Sequence, residues 1–130
     1  MKNCIFCKII KGELPSYKVY DDKDFLAFLD IFPRTVGHTL VIPKKHFQWV
    51  YDYPAFGKYW ETVLIITKAI QKALKPSFVT YLTIGIEVPH AHIHILPRFG
   101  ALDGVYPEVK KLSKEQLTIT ANKIYKEMQK

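Results

Sequence analysis

The sequence predicts an α+β domain in which an antiparallel sheet of about five strands packs against helices. Short stretches in which apolar and polar residues alternate, the pattern of half-buried strands, are separated by longer stretches with the helical period of 3.6 residues. The chain has 130 residues, of which 48% are hydrophobic and 14% aromatic. A chain of this length and composition can bury a core of its own. We therefore expect a single domain over residues 1–130.

A short helix is expected first, followed by three strands. Residues 4–11 are predicted to be helical because Gly12, a common helix stop, follows them. The polar turn at 21–24 separates two stretches rich in strand-forming residues and so indicates a hairpin. We expect strands at 16–20, at 25–29 and, after the next loop, at 39–43.

Two longer helices are expected in the second half of the chain. Apolar residues follow helical spacing over residues 54–74, and a strand is predicted at 78–84. Residues 112–128 form a last amphipathic pattern, with Ser113 as the N-cap and Gln116 completing a capping box. We expect the helices to pack on one side of the sheet.

Between these two helices, three of the chain's five histidines lie two residues apart: His90, His92 and His94. Apolar residues separate them, so the period-two alternation predicts a strand with all three imidazoles on one face. Imidazoles clustered on one surface can bind a metal, bind an anion or act as nucleophiles. Their occupation of three successive positions on one face argues against a chance arrangement on a half-buried strand.

The net charge of +7 favours an anionic partner, either a nucleotide or a nucleic acid. A zinc-containing nucleic-acid binder is nevertheless the weakest candidate, because the sequence has no clustered basic motif with interleaved aromatic residues. No apolar run is long enough to span a membrane, and the N-terminus lacks the apolar core of a signal peptide. We therefore expect a cytoplasmic protein that binds neither membranes nor nucleic acid.

Cys4 and Cys7 are the only cysteines of the sequence. Their Cys-x-x-Cys spacing supplies half of a zinc site, which needs two further ligands from elsewhere in the chain. Two free thiols are one alternative to a metal site. A redox pair is another, although the motif does not follow the βαβ pattern of a thioredoxin-like protein.

The pattern from His90 to Leu96 resembles the signature of the histidine triad (HIT) superfamily of nucleotide hydrolases and transferases. Segments at 4–15, 30–33 and 37–46 also resemble HIT segments and occur in the same order, so the resemblance covers residues 4–98. It implies a HIT-like fold with a long central helix, and a C-terminal helical extension at about 112–129. It also implies a homodimer in which the sheet extends across two chains.

The resemblance further implies a role for particular residues. His92 would be the catalytic nucleophile, His94 a phosphate ligand and Asp30 the ribose ligand. The base pocket would be formed by Ile31, with Phe6 and Phe28 as further candidates. One structural zinc per chain would be bound by Cys4, Cys7, His46 and His90. From the residues alone, a turn-forming role explains Asp30, and core packing explains the two phenylalanines equally well.

The function implied is hydrolysis or transfer on nucleoside phosphoramidates or dinucleoside polyphosphates, through a histidine-bound nucleotidyl intermediate. The partner would be a purine nucleotide or a nucleotide conjugate. One position departs from the family pattern, because Ile86 stands where many HIT hydrolases have a glutamine, and isoleucine makes no hydrogen bond. This departure predicts slow turnover, and it keeps open the alternative of a HIT-fold nucleotide-binding protein with weak or no catalysis.

Overall fold

Within residues 3–130, which the computed structural model describes, five antiparallel strands form one sheet in the order β1-β2-β3-β5-β4. The strands are β1 (Lys18–Asp21), β2 (Phe25–Leu29), β3 (Thr39–Pro43), β4 (Phe78–Leu82) and β5 (Ile93–Arg98). The helices are α1 (Ile5–Ile10), α2 (Phe56–Leu74) and α3 (Lys114–Met128), with a short 3-10 helix at Val50–Asp52. The predicted α+β class is confirmed. Residues 1 and 2, which the single-domain prediction includes, lie outside the described residues.

The predicted triad strand is wrong at its start, because β5 begins at Ile93 and not at His90. The ladder between β3 and β5 runs from Thr39↔Ile95 to Val41↔Ile93. Beyond that pair β3 approaches Pro43, which has no N–H to donate to a ladder. The backbone N–H of Ala91 instead donates to the carbonyl of Phe47. His90 and His92 therefore lie in the irregular segment before the strand, which bends at His90, and only His94 lies in the strand.

The sheet has a buried core on each face. Alternate residues of β2 belong to different cores, as the pleat requires, with Ala27 in one and Phe28 in the other. Helices α2 and α3 cover the first face, where they pack against strands that include β1 and β5. The short helix α1 contributes to the second core through Cys4, Phe6 and Ile9. The expectation that the helices pack on one side thus holds for α2 and α3 but not for α1.

The loop after β3 and the loop before the triad are held together by a side-chain hydrogen bond and by a close approach of their backbones. The side-chain amide of Gln48 donates to the carbonyl of Gly85 at 3.0 Å. A Cβ at Gly85 would overlap the backbone carbonyl of Gln48, so a larger residue cannot occupy this position without moving one loop. The contact joins the loop that follows β3 to the loop that precedes the triad.

Residues 99–113, which we call the strap, connect β5 to α3 and lie beside the second face. The guanidinium of Arg98 is buried and donates to the carboxylate of Asp103 at 2.8 Å and to the backbone carbonyl of Val105 at 3.4 Å. Farther along, the backbone N–H of Lys110 donates to the carbonyl of Pro33 at 2.7 Å. These contacts fix the strap next to the loop that follows β2. None of the helices described over residues 3–130 has the length and apolar character needed to cross a membrane.

Candidate functional site

A cavity of about 660 Å³ opens on the second face of the sheet, between α1, the strap and the loop before the triad. Six residues for which the sequence predicts a nucleotide-binding or catalytic role line this one cavity: Phe6, Phe28, Asp30, Ile31, His92 and His94. They come from α1, from β2 and the loop after it, and from the triad segment. The structure therefore brings together residues that are as much as 88 positions apart in the sequence (94 minus 6).

A nearby backbone carbonyl orients the imidazole of His92. Its Nδ1 lies 2.7 Å from the carbonyl oxygen of His90, which has no proton, so Nδ1–H is the donor. The proton on Nδ1 leaves a free lone pair on Nε2. Burial lowers the pKa of His92, so the ring is neutral at physiological pH. A neutral imidazole with a free Nε2 can act as a nucleophile without a separate base.

A hydrogen bond from the side chain of His38 orients the imidazole of His94. The backbone N–H of Arg34 donates to Nδ1 of His38 at 3.0 Å, which leaves the proton of His38 on Nε2. That Nε2–H donates to Nδ1 of His94 at 2.8 Å, so His94 has its own proton on Nε2. Burial lowers the pKa of His38 to about 3 and that of His94 to about 4, which keeps both rings neutral. His94 can therefore donate one hydrogen bond to an anionic oxygen.

His38 was not predicted as a site residue. The sequence marks it only as the residue before the strand at 39–43, and its 56-position separation from His94 hides the contact. The available signal was its place in the HIT-like segment at 37–46. The carbonyl of His38 also accepts from the backbone N–H of Asp30, so the same residue joins the end of β2 to the start of β3.

Asp30 has both a local and a cavity-facing role. Its Oδ1 accepts from the backbone N–H of Phe32 at 2.9 Å, which is the turn geometry that the residues alone suggest. Its Oδ2 lies 3.7 Å from Nε2 of His38. Burial raises the pKa of Asp30, while the Phe32 N–H and the nearby Arg34 act in the opposite direction. Both carboxylate oxygens can still accept further bonds from a ligand.

The apolar part of the cavity combines buried and exposed side chains. Phe6 and Phe28 meet edge to face at 5.6 Å between ring centres, and Phe6 lies 5.2 Å from the His92 ring. Both phenylalanines are buried and belong to the second core. Ile31, by contrast, is 59% exposed at the edge of the cavity. The two phenylalanines therefore pack in the second core and also line the cavity.

The four predicted metal ligands meet beside the triad. One ligand atom from each of Cys4, Cys7, His46 and His90 lies within 4.8 Å of the others. Nδ1 of His90 is 3.3 Å from Sγ of Cys4 and 3.5 Å from Sγ of Cys7, and Nδ1 of His46 is 3.3 Å from Sγ of Cys7. Usual Zn–S and Zn–N bond lengths in a tetrahedron separate sulfur and nitrogen by about 3.5 Å.

The environment of these ligands also fits a divalent metal. Nε2–H of His90 donates to the carbonyl of Pro43 at 2.9 Å, which leaves Nδ1 unprotonated and facing the sulfurs. Burial raises the pKa of the Cys7 thiol to about 11, so a bound cation is needed to keep it as a thiolate at neutral pH. A second cluster of possible ligands, Asp30, His38 and His94, is less suitable because the two imidazoles share a hydrogen bond.

Comparison with known proteins places this fold and site in one family. The family model of the HIT domain matches residues 11–101, which is more than half of the chain. The protein hit of Bacillus subtilis is 46% identical over 110 residues, covering 79% of this chain and 76% of that relative. An adenosine 5′-monophosphoramidase of Saccharomyces cerevisiae is 38% identical over 107 residues, covering 78% of this chain and 66% of that relative.

Solved structures agree with these sequence matches. A hypothetical histidine triad nucleotide-binding protein from Sulfolobus tokodaii superimposes with a TM-score of 0.84 at 32% identity, covering 97% of this chain and 92% of its own. A zinc-bound histidine triad family protein from Mycobacterium smegmatis superimposes with a TM-score of 0.81 at 26% identity, covering 98% of this chain and 94% of its own. With the family model, the fold and the triad in agreement, the chain belongs to the histidine triad (HIT) family.

Proposed function

We propose that this protein is a nucleotide hydrolase or transferase that acts on nucleoside phosphoramidates or dinucleoside polyphosphates through a nucleotide bound to His92. The observation that carries the proposal is the hydrogen bond from Nδ1–H of His92 to the carbonyl of His90, which leaves Nε2 free in a cavity that Asp30 also lines. The relative named adenosine 5′-monophosphoramidase supports this class of reaction.

The reaction proceeds in two displacements at the α-phosphorus. Nε2 of His92 attacks phosphorus and forms a P–N bond, while the bond to the leaving group breaks and the leaving group takes the electron pair and a proton from solvent. Water then attacks phosphorus and loses a proton to solvent. The P–N bond to His92 breaks, its electron pair returns to Nε2, and a nucleoside monophosphate is released.

The surrounding side chains bind and orient the nucleotide in this proposal. Nε2–H of His94 donates to a phosphate oxygen, where a fixed donor stabilises the charge that develops in each displacement. Asp30 accepts from the ribose hydroxyls through the lone pairs that Phe32 does not occupy. Ile31, Phe6 and Phe28 contact the base, which we expect to be a purine.

Zinc is the structural metal of the proposal. Cys4, Cys7, His46 and His90 hold it, and when bound it fixes α1 to the loop after β3 and to the triad segment. The zinc-bound Mycobacterium smegmatis relative supports this choice of metal. His90 also orients the proposed nucleophile, because its backbone carbonyl accepts the hydrogen bond from Nδ1–H of His92.

We also propose a homodimer that pairs two copies of β4. This strand lies at the edge of the sheet order, where a second strand can add to its backbone groups. Tyr81 on β4 and Leu64 and Ile65 on α2 are about half exposed, as residues at an interface are before it forms. Sedimentation equilibrium should give twice the mass of one chain, and a mass of one chain at micromolar concentration would rule the dimer out.

The intermediate is tested by single-turnover labelling. Adenosine 5′-phosphoramidate labelled at phosphorus should transfer label to the wild-type protein within one turnover, and His92→Ala should show no label. Nucleotide affinity should stay within a few-fold in His92→Ala, because a nucleophile acts on the barrier more than on ground-state binding.

Metal content is the control for this test, since His92→Ala should retain the same zinc as the wild type. Full turnover by His92→Ala would exclude the mechanism. A wild-type protein that binds the nucleotide but acquires no label would instead support the nucleotide-binding alternative.

A further inference from the structure

The two cysteines of the chain lie on one turn of α1. Cys4 is the N-cap of the helix, and its carbonyl accepts from the backbone N–H of Lys8 at 3.1 Å, so the turn includes both Cys4 and Cys7. Residues three positions apart in a helical turn have Cα atoms about 5 Å apart. That separation lies within the range that a disulfide spans without movement of the backbone.

The two sulfur atoms are also close enough to react with each other. The backbone N–H of Cys7 donates to Sγ of Cys4 at 3.3 Å, which holds this sulfur near Cys7. The two Sγ atoms lie within 4.8 Å of each other, and both cysteines are free thiols. Rotation about the Cα–Cβ bonds can bring them to the ~2 Å of an S–S bond. The sequence contains no third cysteine that could compete for either sulfur.

Solvent reaches the two sulfurs unequally. Cys4 is buried, whereas Cys7 is half-buried, so a small oxidant meets Cys7 first and Cys4 lies behind it. Zinc bound at the proposed site would keep both sulfurs as thiolates, the form that reacts with peroxides. An accessible thiolate beside a second, resolving cysteine is the arrangement of reversible redox sensors.

A disulfide would remove two of the four proposed zinc ligands. Zinc binds thiolates, and the sulfurs of a disulfide have no negative charge. His46 and His90 would remain, and within residues 3–130 their cluster contains no other cysteine, histidine or carboxylate. Two imidazoles are fewer than the three or four protein ligands of a zinc site. Oxidation of the cysteine pair would therefore release the metal.

Phe6 connects the cysteine pair to the cavity. It lies between the two cysteines in the sequence, and its ring is 5.8 Å from that of His90 and 5.2 Å from that of His92. The same side chain lines the cavity. Closing an S–S bond changes the turn that carries Phe6, and release of zinc separates α1 from the triad segment. A change at the sulfurs therefore reaches the surface that a nucleotide would contact.

We propose that Cys4 and Cys7 form a reversible redox switch, in which hydrogen peroxide or an organic hydroperoxide converts them to a disulfide, releases zinc and weakens nucleotide binding. This inference rests on the proposed function and adds regulation to its site.

The oxidation proceeds in two steps. The Cys7 thiolate attacks one peroxide oxygen, the O–O bond breaks, and hydroxide leaves with the electron pair, which gives a sulfenic acid on Cys7. The Cys4 thiolate then attacks the Cys7 sulfur and displaces a second hydroxide as the S–S bond forms. The sulfur pair has lost two electrons and the peroxide has gained them. Two protons from solvent convert the hydroxides to water.

The test treats the reduced, zinc-loaded protein with a small excess of hydrogen peroxide. The intact mass should fall by two hydrogen atoms, and peptide mapping should place the new bond between Cys4 and Cys7. A chromogenic chelator should detect about one zinc per chain as the bond forms. Affinity for adenosine 5′-monophosphate should fall about two- to tenfold, the size of one aromatic contact. A phosphine reductant with added zinc should restore all three properties.

Cys7→His is the matched variant, because histidine keeps a zinc donor at this position and cannot form a disulfide. Peroxide should release no zinc from this variant. Peroxide should also leave its nucleotide affinity unchanged, and this second readout holds whatever amount of zinc the variant binds.

The outcomes separate the switch from the proposed function. A reduced protein that binds zinc and nucleotide, but forms no disulfide with peroxide or only gains oxygen, would overturn the switch alone. Unchanged nucleotide affinity after oxidation, or an equal response of Cys7→His, would also overturn only the switch. A reduced protein that binds neither zinc nor nucleotide would overturn the proposed function and, with it, the switch.

Discussion

At the scale of single residues, backbone groups decide which nitrogen of each histidine is free. The carbonyl of Pro43 accepts from Nε2–H of His90, the carbonyl of His90 accepts from Nδ1–H of His92, and the N–H of Arg34 donates to Nδ1 of His38. The other nitrogen faces the cysteine sulfurs in His90, is free in the cavity in His92, and donates to His94 in His38. Because the partners are main-chain atoms, side-chain substitutions around the cavity do not change these tautomers.

Asp30 gives the sharpest prediction at this scale. Asp30→Ala should weaken binding of a nucleoside monophosphate by about 1.5–3 kcal/mol, because it removes hydrogen bonds to a charged acceptor. Affinity for inorganic phosphate should hardly change. Isothermal titration with both ligands measures the difference, and Asp30→Asn serves as the matched variant that keeps an acceptor for the turn at Phe32.

A loss of affinity that is equal for both ligands would show that Asp30 acts only as the turn residue. The thermal midpoint of unfolding should accompany the titrations, since loss of the bond to the Phe32 N–H also destabilises the loop. An effect of Asp30→Asn as large as that of Asp30→Ala on the nucleotide, with an unchanged midpoint, would still be consistent with ribose binding through the charge.

At the scale of elements, the short helix α1 links the proposed metal ligands to the cavity. Cys4 is its N-cap, Cys7 lies in its first turn, and Phe6 between them contacts both His90 and His92. A six-residue helix is too short to be stable alone. Its position against the sheet therefore depends on the packing of Phe6 and Ile9 in the second core and on the contacts of Cys4 and Cys7, two of the proposed zinc ligands.

The prediction for this element concerns metal content and the order of α1 together. Protein prepared without chelator should contain about one zinc per chain, and Cys4→Ser should contain much less. Zinc bound at the proposed site would join α1 to the sheet, so its removal should increase amide hydrogen exchange in residues 5–10 relative to β2. Metal analysis and hydrogen exchange measure the two effects without reference to activity.

Ser113→Ala is the control for this prediction. Like Cys4→Ser it changes the N-cap residue of a helix, but that helix is α3, away from the proposed metal ligands. It should leave zinc content unchanged. Zinc that is absent even after reconstitution, or equal in Cys4→Ser and the wild type, would exclude the site.

Elements with local signals could be predicted from the sequence, and those that depend on distant partners could not. The bounds of β2 and β3 were predicted correctly because a polar turn and alternation define them. The start of β5 was wrong, since it is set by the point where β3 stops pairing, near Pro43. The partner of Ala91 is Phe47, and no pattern within the triad segment indicates that contact.

At the scale of the whole molecule, the larger core and the cavity lie on opposite faces of the sheet. The larger core lies between the sheet and helices α2 and α3, whereas the cavity lies on the face of α1 and the strap. The candidate site could be predicted where it falls within HIT-like segments, as His92 and Asp30 do. The strap residue Tyr106, 5.7 Å from the ring of His94, lies outside those segments and was not predicted.

Burial of neutral histidines predicts how the stability of the molecule depends on pH. The pKa of His38 is lowered to about 3 and that of His94 to about 4, first of all by burial. The unfolded chain binds protons on both rings below a pH of about 6.5, while the folded protein does not until the lower values are reached. Stability is therefore full above pH 6.5 and is lost as the pH falls toward 4, by roughly 1.4 kcal/mol per pH unit for each ring.

Urea unfolding at a series of pH values measures this dependence. Chelator should be present throughout, so that loss of metal at low pH does not contribute to the slope. His38→Gln should have a shallower slope, because one of the buried neutral rings is gone. A free energy of unfolding that stays constant between pH 6.5 and 4.5 would show that these rings are not buried as neutral groups.

The separation of the two faces also determines how such a protein can diverge among lineages. Ile31 and Ile86 line the cavity but are mostly exposed at its rim, so a change at either of them removes little buried apolar surface. Such substitutions cost little folding free energy and are open to neutral drift. Substrate preference can therefore change through the rim during evolution, while the histidines and the core beneath them are retained.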